Sequence, residues 1–455
     1  MARVRHECRN WWRVLSSAFR LSPEGTGIAT DSRIKRIFLL FSLGLLASCG
    51  NPPGNSNNIN FPYGMAVCSY ICNAPPGSTT TIPTSFAAVT SYGTKQILIF
   101  HNSNTGFQTN PYGFQISNNS LAPTTSLYNA LQGPDGLLIS SQGFTSSNGF
   151  NCTAPVLYGA DGIGNKIGIW CGFDPTNASN PGPTITISSS SLQSPEGMAL
   201  DWVKENGVTL PAPILFVANP GSSNILAFDL NQISGPGSVS LSPSGQLLPG
   251  TNGGLPFGQP ANSTSLNGPA FVAFSNSKNT LFVSNTGNSQ VNIYGNGYCI
   301  GVNQESGTGC SSNSPNISPT NWISGSNTFL SSPVGLAYYQ GALYVADFAA
   351  NGVMIWDNIL GGSTSGGNLA PTRRINGSNT GFNAVYALAI DNNPNAPPGN
   401  IFYLSQVNNG NLLGYNNATT VSGNIAPTFT INVINPTLSS GNGSGGGTTG
   451  YPGFP

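Results

Sequence analysis

The sequence predicts an all-β chain folded as a six-bladed β-propeller of four-stranded antiparallel blades, and three observations predict it. One pattern returns six times: a polar residue closes an apolar strand, an aliphatic residue follows six positions later and an aromatic residue nine positions later. The triplets are Ser91/Ile97/Phe100, Asp161/Ile167/Trp170, Asn219/Ile225/Phe228, Asn285/Val291/Tyr294, Asp347/Val353/Trp356 and Gln406/Leu412/Tyr415. Their polar members fall 70, 58, 66, 62 and 59 residues apart, and self-similarity at a long period marks a repeat architecture. The 58 Gly and 35 Pro among 455 residues punctuate the chain and leave little room for long helices. A hydrophobic content of 38%, with 10% aromatic residues, is enough for one large core shared by six units.

In chain order, residues 1–48 read as a leader, with a lipoprotein-type signal over 33–48. Arg33, Lys35 and Arg36 precede an apolar run from Ile37 to Leu46, then Ala47 and Ser48. Positive, apolar and small residues in that order form a secretory signal too short for a comfortable membrane span. Residues 1–32 lengthen the charged region beyond the usual and are expected to reflect a misassigned start. The stretch Leu46-Ala47-Ser48-Cys49 resembles the lipobox of bacterial lipoproteins. That resemblance implies cleavage before Cys49, acylation of its sulfur (palmitate among the chains), and a stable anchor from two or three acyl chains. Gly50 at the next position implies the outer membrane by the family's sorting rule. Apart from Cys49 and Ile59, residues 49–60 are Asn, Gly, Pro and Ser and read as a flexible tether. The propeller spans 61–436, and 437–455 is a Gly/Ser-rich tail expected to be disordered.

Each unit is legible as strands, the fifth most clearly. Pro333 to Tyr338 enters the blade, Gly341 turns it, and Ala342 to Ala346 returns. Val353 to Trp356 is the third strand, and Leu369 to Ile375 supplies the fourth. The other units open at Phe61-Pro62-Tyr63-Gly64, Pro134-Asp135-Gly136, Pro195-Glu196-Gly197, Pro269-Ala270-Phe271 and Ala384-Val385-Tyr386. In the fourth, Ala270 is expected where Gly is usual; the sixth lacks both Pro and Gly. Outer strands are expected at Pro183–Ile187, Pro319–Ile323 and Ala426–Ile431. The ninth-position aromatic should fill the space between blades, and the polar residue should cap the following turn.

Charge excludes one class of partner. Charged residues make up 6% of the chain, against roughly 25% in ordinary soluble domains. Beyond Cys49 six basic and eleven acidic side chains remain, a formal charge of −5. Only Arg373 and Arg374 adjoin, and neighbours on a strand face opposite ways. Nucleic acid, which demands clustered Lys and Arg, is therefore excluded. So few carboxylates also fit an acidic habitat, since acid unfolds proteins largely by protonating them; a neutral polar surface suited to any extracellular setting is the alternative.

Six cysteines follow Cys49 in three close pairs: Cys68 with Cys72, Cys152 with Cys171, and Cys299 with Cys310. The chain beyond Cys49 has a single histidine, His101, so disulfides are favoured over zinc, and they imply an oxidising compartment.

Pro333-Val334-Gly335-Leu336-Ala337, followed by Leu343-Tyr344-Val345-Ala346-Asp347 and Val353-Met354-Ile355-Trp356, resembles an NHL repeat. The third unit, with Ile214–Asn219 and Asn224–Phe228, is similar. The resemblance implies a six-bladed propeller over most of 61–436, with longer repeats than the family's usual. Related lyases hold zinc with histidines, which a chain with His101 alone does not match. In propeller lactonases of the gluconolactonase type, acidic and amide side chains around the channel hold a divalent cation. Asp135 and Glu196, both between Pro and Gly in consecutive units, are the candidates for such a site, with calcium as the cation.

Two function classes stay open. The leading one is a non-catalytic binding module of the cell envelope, without a cofactor, meeting a protein, glycan or envelope component. The alternative is a metal-dependent hydrolase or lactonase acting outside the cytoplasm. No Gly-x-Ser-x-Gly elbow, P-loop or haem-attachment motif is present.

Overall fold

The computed structural model describes residues 63–68, 86–91, 95–101, 125–128, 131–174, 181–204, 207–248, 266–302, 318–361, 366–390, 402–408 and 410–431. All lie in the unit Asn57–Pro455. The leader, Cys49, the tether, the tail, Cys72 and Cys310 lie outside the described residues.

Six sheets follow one another along the chain, each built from four strands in sequence order. Blade 1 comprises Met65–Cys68, Phe86–Ser91, Gln96–His101 and Thr125–Tyr128. Blade 2 comprises Pro134–Ser140, Val156–Asp161, Lys166–Trp170 and Ile185–Ser188. Blade 3 has Met198–Val203, Thr209–Asn219, Asn224–Asp229 and Gly245–Leu247. Blade 4 has Pro269–Ser275, Thr280–Asn285, Gln290–Gly295 and Asn321–Ile323. Blade 5 has Pro333–Tyr339, Ala342–Asp347, Gly352–Trp356 and Arg373–Ile375, and blade 6 has Val385–Ile390, Phe402–Gln406, Leu412–Tyr415 and Phe429–Ile431. Neighbouring strands of each blade pair antiparallel. Every first strand touches the first strands of the blades before and after it, and that of blade 6 touches that of blade 1. The ring is closed, and the fold is a six-bladed β-propeller.

The repeated residues do what their spacing predicts. Trp170, Phe228, Tyr294, Trp356 and Tyr415 are all buried, at 2% exposure or less. Trp170 belongs to the apolar cluster between blades 1 and 2, Phe228 to that between blades 2 and 3, and Tyr294 to that between blades 3 and 4. Each therefore packs toward the preceding blade, where burying such a ring removes about 150–250 Å² of surface. The Trp170 and Trp356 indoles still find carbonyls, those of Pro181 (2.9 Å) and Leu369 (3.0 Å).

Outer strands begin at a Pro-Thr pair for a concrete reason. The hydroxyl of Thr320 accepts from Gly295 N–H and donates to Ile293 C=O, both at 3.0 Å. Thr372 does the same with Asp357 N–H (2.9 Å) and Ile355 C=O (3.0 Å). Thr184 and Thr428 accept from Cys171 and Asn416 N–H groups at 3.1 Å. The threonine thus closes the ladder where the proline, lacking an N–H, cannot.

Two features depart from expectation. Gly237–Ser240 from the third unit pairs parallel with Ile185–Ser188, making blade 2 five-stranded. Parallel bridges Ile323–Gly367 and Ile375–Gly423 repeat this outward link between later blades. In blade 4, pairing of Pro269 with Asn285 and of Val272 with Val283 places Phe271, not Ala270, at the usual glycine position.

Candidate functional site at the propeller axis

Two rings of residues lie on the face where first strands begin and second strands end. The outer ring is the set of polar repeat residues. Asp347 accepts from Ser331 N–H (2.7 Å), Ser332 N–H (3.0 Å) and Ala350 N–H (2.8 Å). Asp161 accepts from Gln132, Gly133 and Gly164 N–H groups at 2.8–2.9 Å. The Asn219 and Asn285 carbonyls accept from Gln193 N–H and Asn267 N–H, both at 2.6 Å. Each ties the crossover entering its blade to the second strand; Asp161 and Asp347 also cap the following turn as expected, whereas the Asn219 and Asn285 side chains make no cap bond there. Gln406 is the exception: both atoms of its buried amide lack a partner.

The inner ring follows from the register. Pairing of Pro134 with Asp161, Pro333 with Asp347 and Val385 with Gln406 aligns Asp135, Val334 and Tyr386. The Met65–Val89, Met198–Val217 and Pro269–Asn285 pairs add Tyr63, Glu196 and Ala270. The blades touch closely here. A side chain on Gly136 would collide with the Glu196 carbonyl, and one on Gly64 with the Asp135 carbonyl. Glycine is required at these two points because the next blade's backbone occupies the space.

These six equivalent positions hold Tyr, Asp, Glu, Ala, Val and Tyr, so the inner ring breaks the symmetry that the outer ring keeps. The Tyr386 hydroxyl hydrogen-bonds to Glu196. Blades 3 and 6 are three apart in a ring of six, so this bond crosses the axis. The Tyr386 ring meets those of Tyr63 (centroids 5.0 Å apart), Phe271 (6.0 Å) and Phe348 (6.3 Å), all edge-on. Asp135 turns its Oδ2 toward Gly162, just beyond Asp161.

Electrostatics at the axis favour neutral carboxyls. Burial, with Glu196 and Asp161 nearby, holds Asp135 well above the usual carboxylate range. Burial pushes Glu196 up to about 8, against a smaller opposing effect of the Tyr386 hydrogen bond. Glu196 is only partly buried as a residue, yet its Oε2 is sealed from water and has no hydrogen-bond partner. Tyr386 is raised as well, by burial and by the acids and Tyr63 around it.

The sequence reading brought Asp135 and Glu196 to the axis, and the structure places them there in adjacent blades. A calcium site does not fit these residues. Hard cations take about six oxygen ligands as carboxylates and carbonyls, whereas the side chains around the axis supply two carboxyls and two phenols, the rest being Ala270, Val334, Phe271 and Phe348. Among the described residues no group of three or more His, Cys, Asp and Glu is arranged to hold a metal ion. What the arrangement can do is hold protons and present aromatic rings.

Elsewhere, Cys152 and Cys171 form a disulfide across a sequence separation of 19, as the sequence indicated. Cys299 is also disulfide-bonded; its expected partner Cys310, and Cys72 as the partner of Cys68, lie outside the described residues. Arg373 and Arg374 do diverge: Arg373 binds Asp357 (2.6 Å) and sits on Tyr344, while Arg374 covers Phe329. Sequence reasoning missed Tyr386, Phe271 and Phe348 as members of the axial cluster. The signal for Tyr386 was its place in the sixth opening, hidden by the loss of Pro and Gly there. Asp201, fully buried and raised by burial to about 7, carried no sequence signal.

No protein-family model matches the chain, and no curated protein matches it. Solved structures do resemble it. A streptogramin B lyase structure is 13% identical with a TM-score of 0.40, covering 80% of this chain and 84% of that one. Virginiamycin B lyase from Staphylococcus aureus is 12% identical with a TM-score of 0.35, covering 82% and 85%. A chain of the polycomb repressive complex 2 from Chaetomium thermophilum is 12% identical with a TM-score of 0.46, covering 79% and 66%. At such identities the likeness concerns the fold alone, and the blade count rests on the strand pairing described above.

Proposed function

We propose that this protein is a non-catalytic binding module of a bacterial cell envelope, an NHL-like propeller tethered outside the cytoplasm by acyl chains on Cys49. Its partner is a protein, glycan or other envelope component met on the face bearing the inner ring. The observation that carries this reading is the symmetry break at the axis. Requirements of the fold repeat in every blade, whereas Tyr63, Asp135, Glu196 and Tyr386 differ at equivalent positions. Partly exposed Tyr63, Tyr386 and Phe348 give that face aromatic anchors of the kind enriched at interfaces. The long Asn-, Ser- and Gly-rich connections supply adaptable polar contacts. The hydrolase reading is disfavoured by a donor set too poor for a divalent cation.

The test uses the full chain expressed in a bacterial envelope. Chemical crosslinking, followed by identification of the partner, is compared for wild type and a Tyr63→Ser/Phe348→Ser variant. Loss of one defined partner in a variant that stays folded at the temperature of crosslinking supports the reading. Turnover of a lactone that needs added divalent cation, and is abolished by Glu196→Gln, would overturn it. Labelling with an alkyne fatty acid, lost in Cys49→Ser, checks the anchor separately.

A further inference from the structure

We infer that Tyr386 latches the propeller axis, tying the blades together around Asp135 and Glu196, and that the latch weakens in alkaline solution because burying negative charge there costs more than the single Tyr386 hydrogen bond returns. This goes beyond the binding reading and needs no ligand.

The latch touches every blade. Asp135 stands on blade 2 and Glu196 on blade 3; Tyr386 comes from blade 6 and bonds to Glu196 across the axis. The Tyr386 ring packs on Tyr63 of blade 1, Phe271 of blade 4 and Phe348 of blade 5. Ring closure joins the chain's first and last blades, so a contact spanning all six bears directly on whether the ring stays shut.

Among the described residues no cation balances these acids. The titratable groups facing them are Asp161 from blade 2, Tyr63 from blade 1 and Tyr386 from blade 6. Lys166 lies 3.7 Å from Asp161 and is engaged there. Blades 4 and 5 contribute Ala270, Phe271, Val334 and Phe348, none of which carries charge. The sealed Oε2 of Glu196 has no donor to stabilise a negative charge. A first carboxylate at the axis therefore has the Tyr386 hydroxyl as its one donor, among aromatic rings and like-signed neighbours, and a second is opposed by the first.

The direction of the pH effect follows. The folded axis binds protons that the unfolded chain releases, so stability falls as pH rises from the ordinary range of a glutamic acid, 4.5, through about 8. At acid pH the latch contributes in full.

The experiment is thermal unfolding of the full chain across pH, read by tyrosine circular dichroism, for wild type and the isosteric Asp135→Asn/Glu196→Gln pair. Wild type is expected to lose at least about 5 °C between roughly pH 5 and pH 9. The double variant, fixed in the neutral form, should lose less than half of that and melt above wild type at the alkaline end. A wild-type melting temperature that is flat or rises over this range would overturn the proposal, as would an equal slope in the double variant. If the double variant fails to fold, infrared spectra of wild type decide. A protonated-carboxyl band persisting at neutral pH in an Asp201→Asn background supports the latch, and its disappearance by about pH 5 overturns it.

Discussion

The outer and inner rings of the same propeller face bury carboxyl groups in opposite ways. Asp161 and Asp347 are fully buried, yet each accepts three backbone N–H groups. Glu196, one strand away, has one phenol and an oxygen that meets nothing. Burial of an acid thus has no single meaning. Where donors converge, the carboxylate is a structural clamp, a role that Asn219 and Asn285 take in blades 3 and 4; where donors are few, the acid keeps its proton. Asp347 shows the competition directly, because burial raises its pKa while four backbone N–H groups oppose the rise.

Removing a clamp should have the largest effect. Asp347→Ala would leave Ser331, Ser332 and Ala350 N–H groups without their partner, costing about 3–5 kcal/mol. Urea titration of the variant measures it, and a cost below about 1 kcal/mol would erase the distinction between the rings. Opening the Cys152–Cys171 disulfide, by Cys→Ser at both positions, is expected to cost about 3 kcal/mol by the same measurement.

Acids with few donors should respond with the opposite sign; Asp201 accepts one, from Val203 N–H at 2.9 Å. Asp201 lies in the first strand of blade 3, its Oδ2 unpartnered and its pKa raised by burial to about 7. The folded state again binds more protons than the unfolded, so its penalty grows from pH 3.8 to about 7 and then stays constant. Asp201→Asn is therefore expected to stabilise the protein by about 2 kcal/mol above pH 7 and to do little near pH 3. Denaturation at both pH values checks it; equal effects would remove the pH argument. The smallest effect belongs to Gln406. Replacing its unpartnered amide by Leu should change stability by less than about 1 kcal/mol, in the stabilising direction.

Much of this was legible in the sequence, unevenly and for physical reasons. The six triplets marked the blades because the aromatic member packs toward the preceding blade, as Trp170, Phe228 and Tyr294 do. Outer strands of blades 2, 4, 5 and 6 were readable from Pro-Thr, whose hydroxyl closes the ladder. The outer strand of blade 3, Gly245–Leu247, has no such pair, and the added strand Gly237–Ser240 is largely exposed, so it has little apolar alternation to read. Asp135 and Glu196 stood out because Pro and Gly flank them. Tyr386 did not, since Val385 and Ala387 replace those markers and only strand register reveals the equivalence. Asp201 sits among ordinary strand residues, and its isolation is a property of packing alone.

The scarcity of charge takes on a sharper sense as well. An acid habitat is hard on proteins whose carboxylates are paired, and Asp357, lowered by Arg373, is such a group here. Its contribution is present above the ordinary aspartate range and fades as pH falls. Asp135, Glu196 and Asp201 shift the other way, so acidification relieves them.

The most direct measurement is a carbon-13 titration of the labelled Glu196 carboxyl in the full chain. A midpoint near 8 is expected, with the tyrosine spectrum changing over the same interval. A midpoint near 4.5, the ordinary value for a glutamic acid, would contradict the neutral axis on which the latch depends.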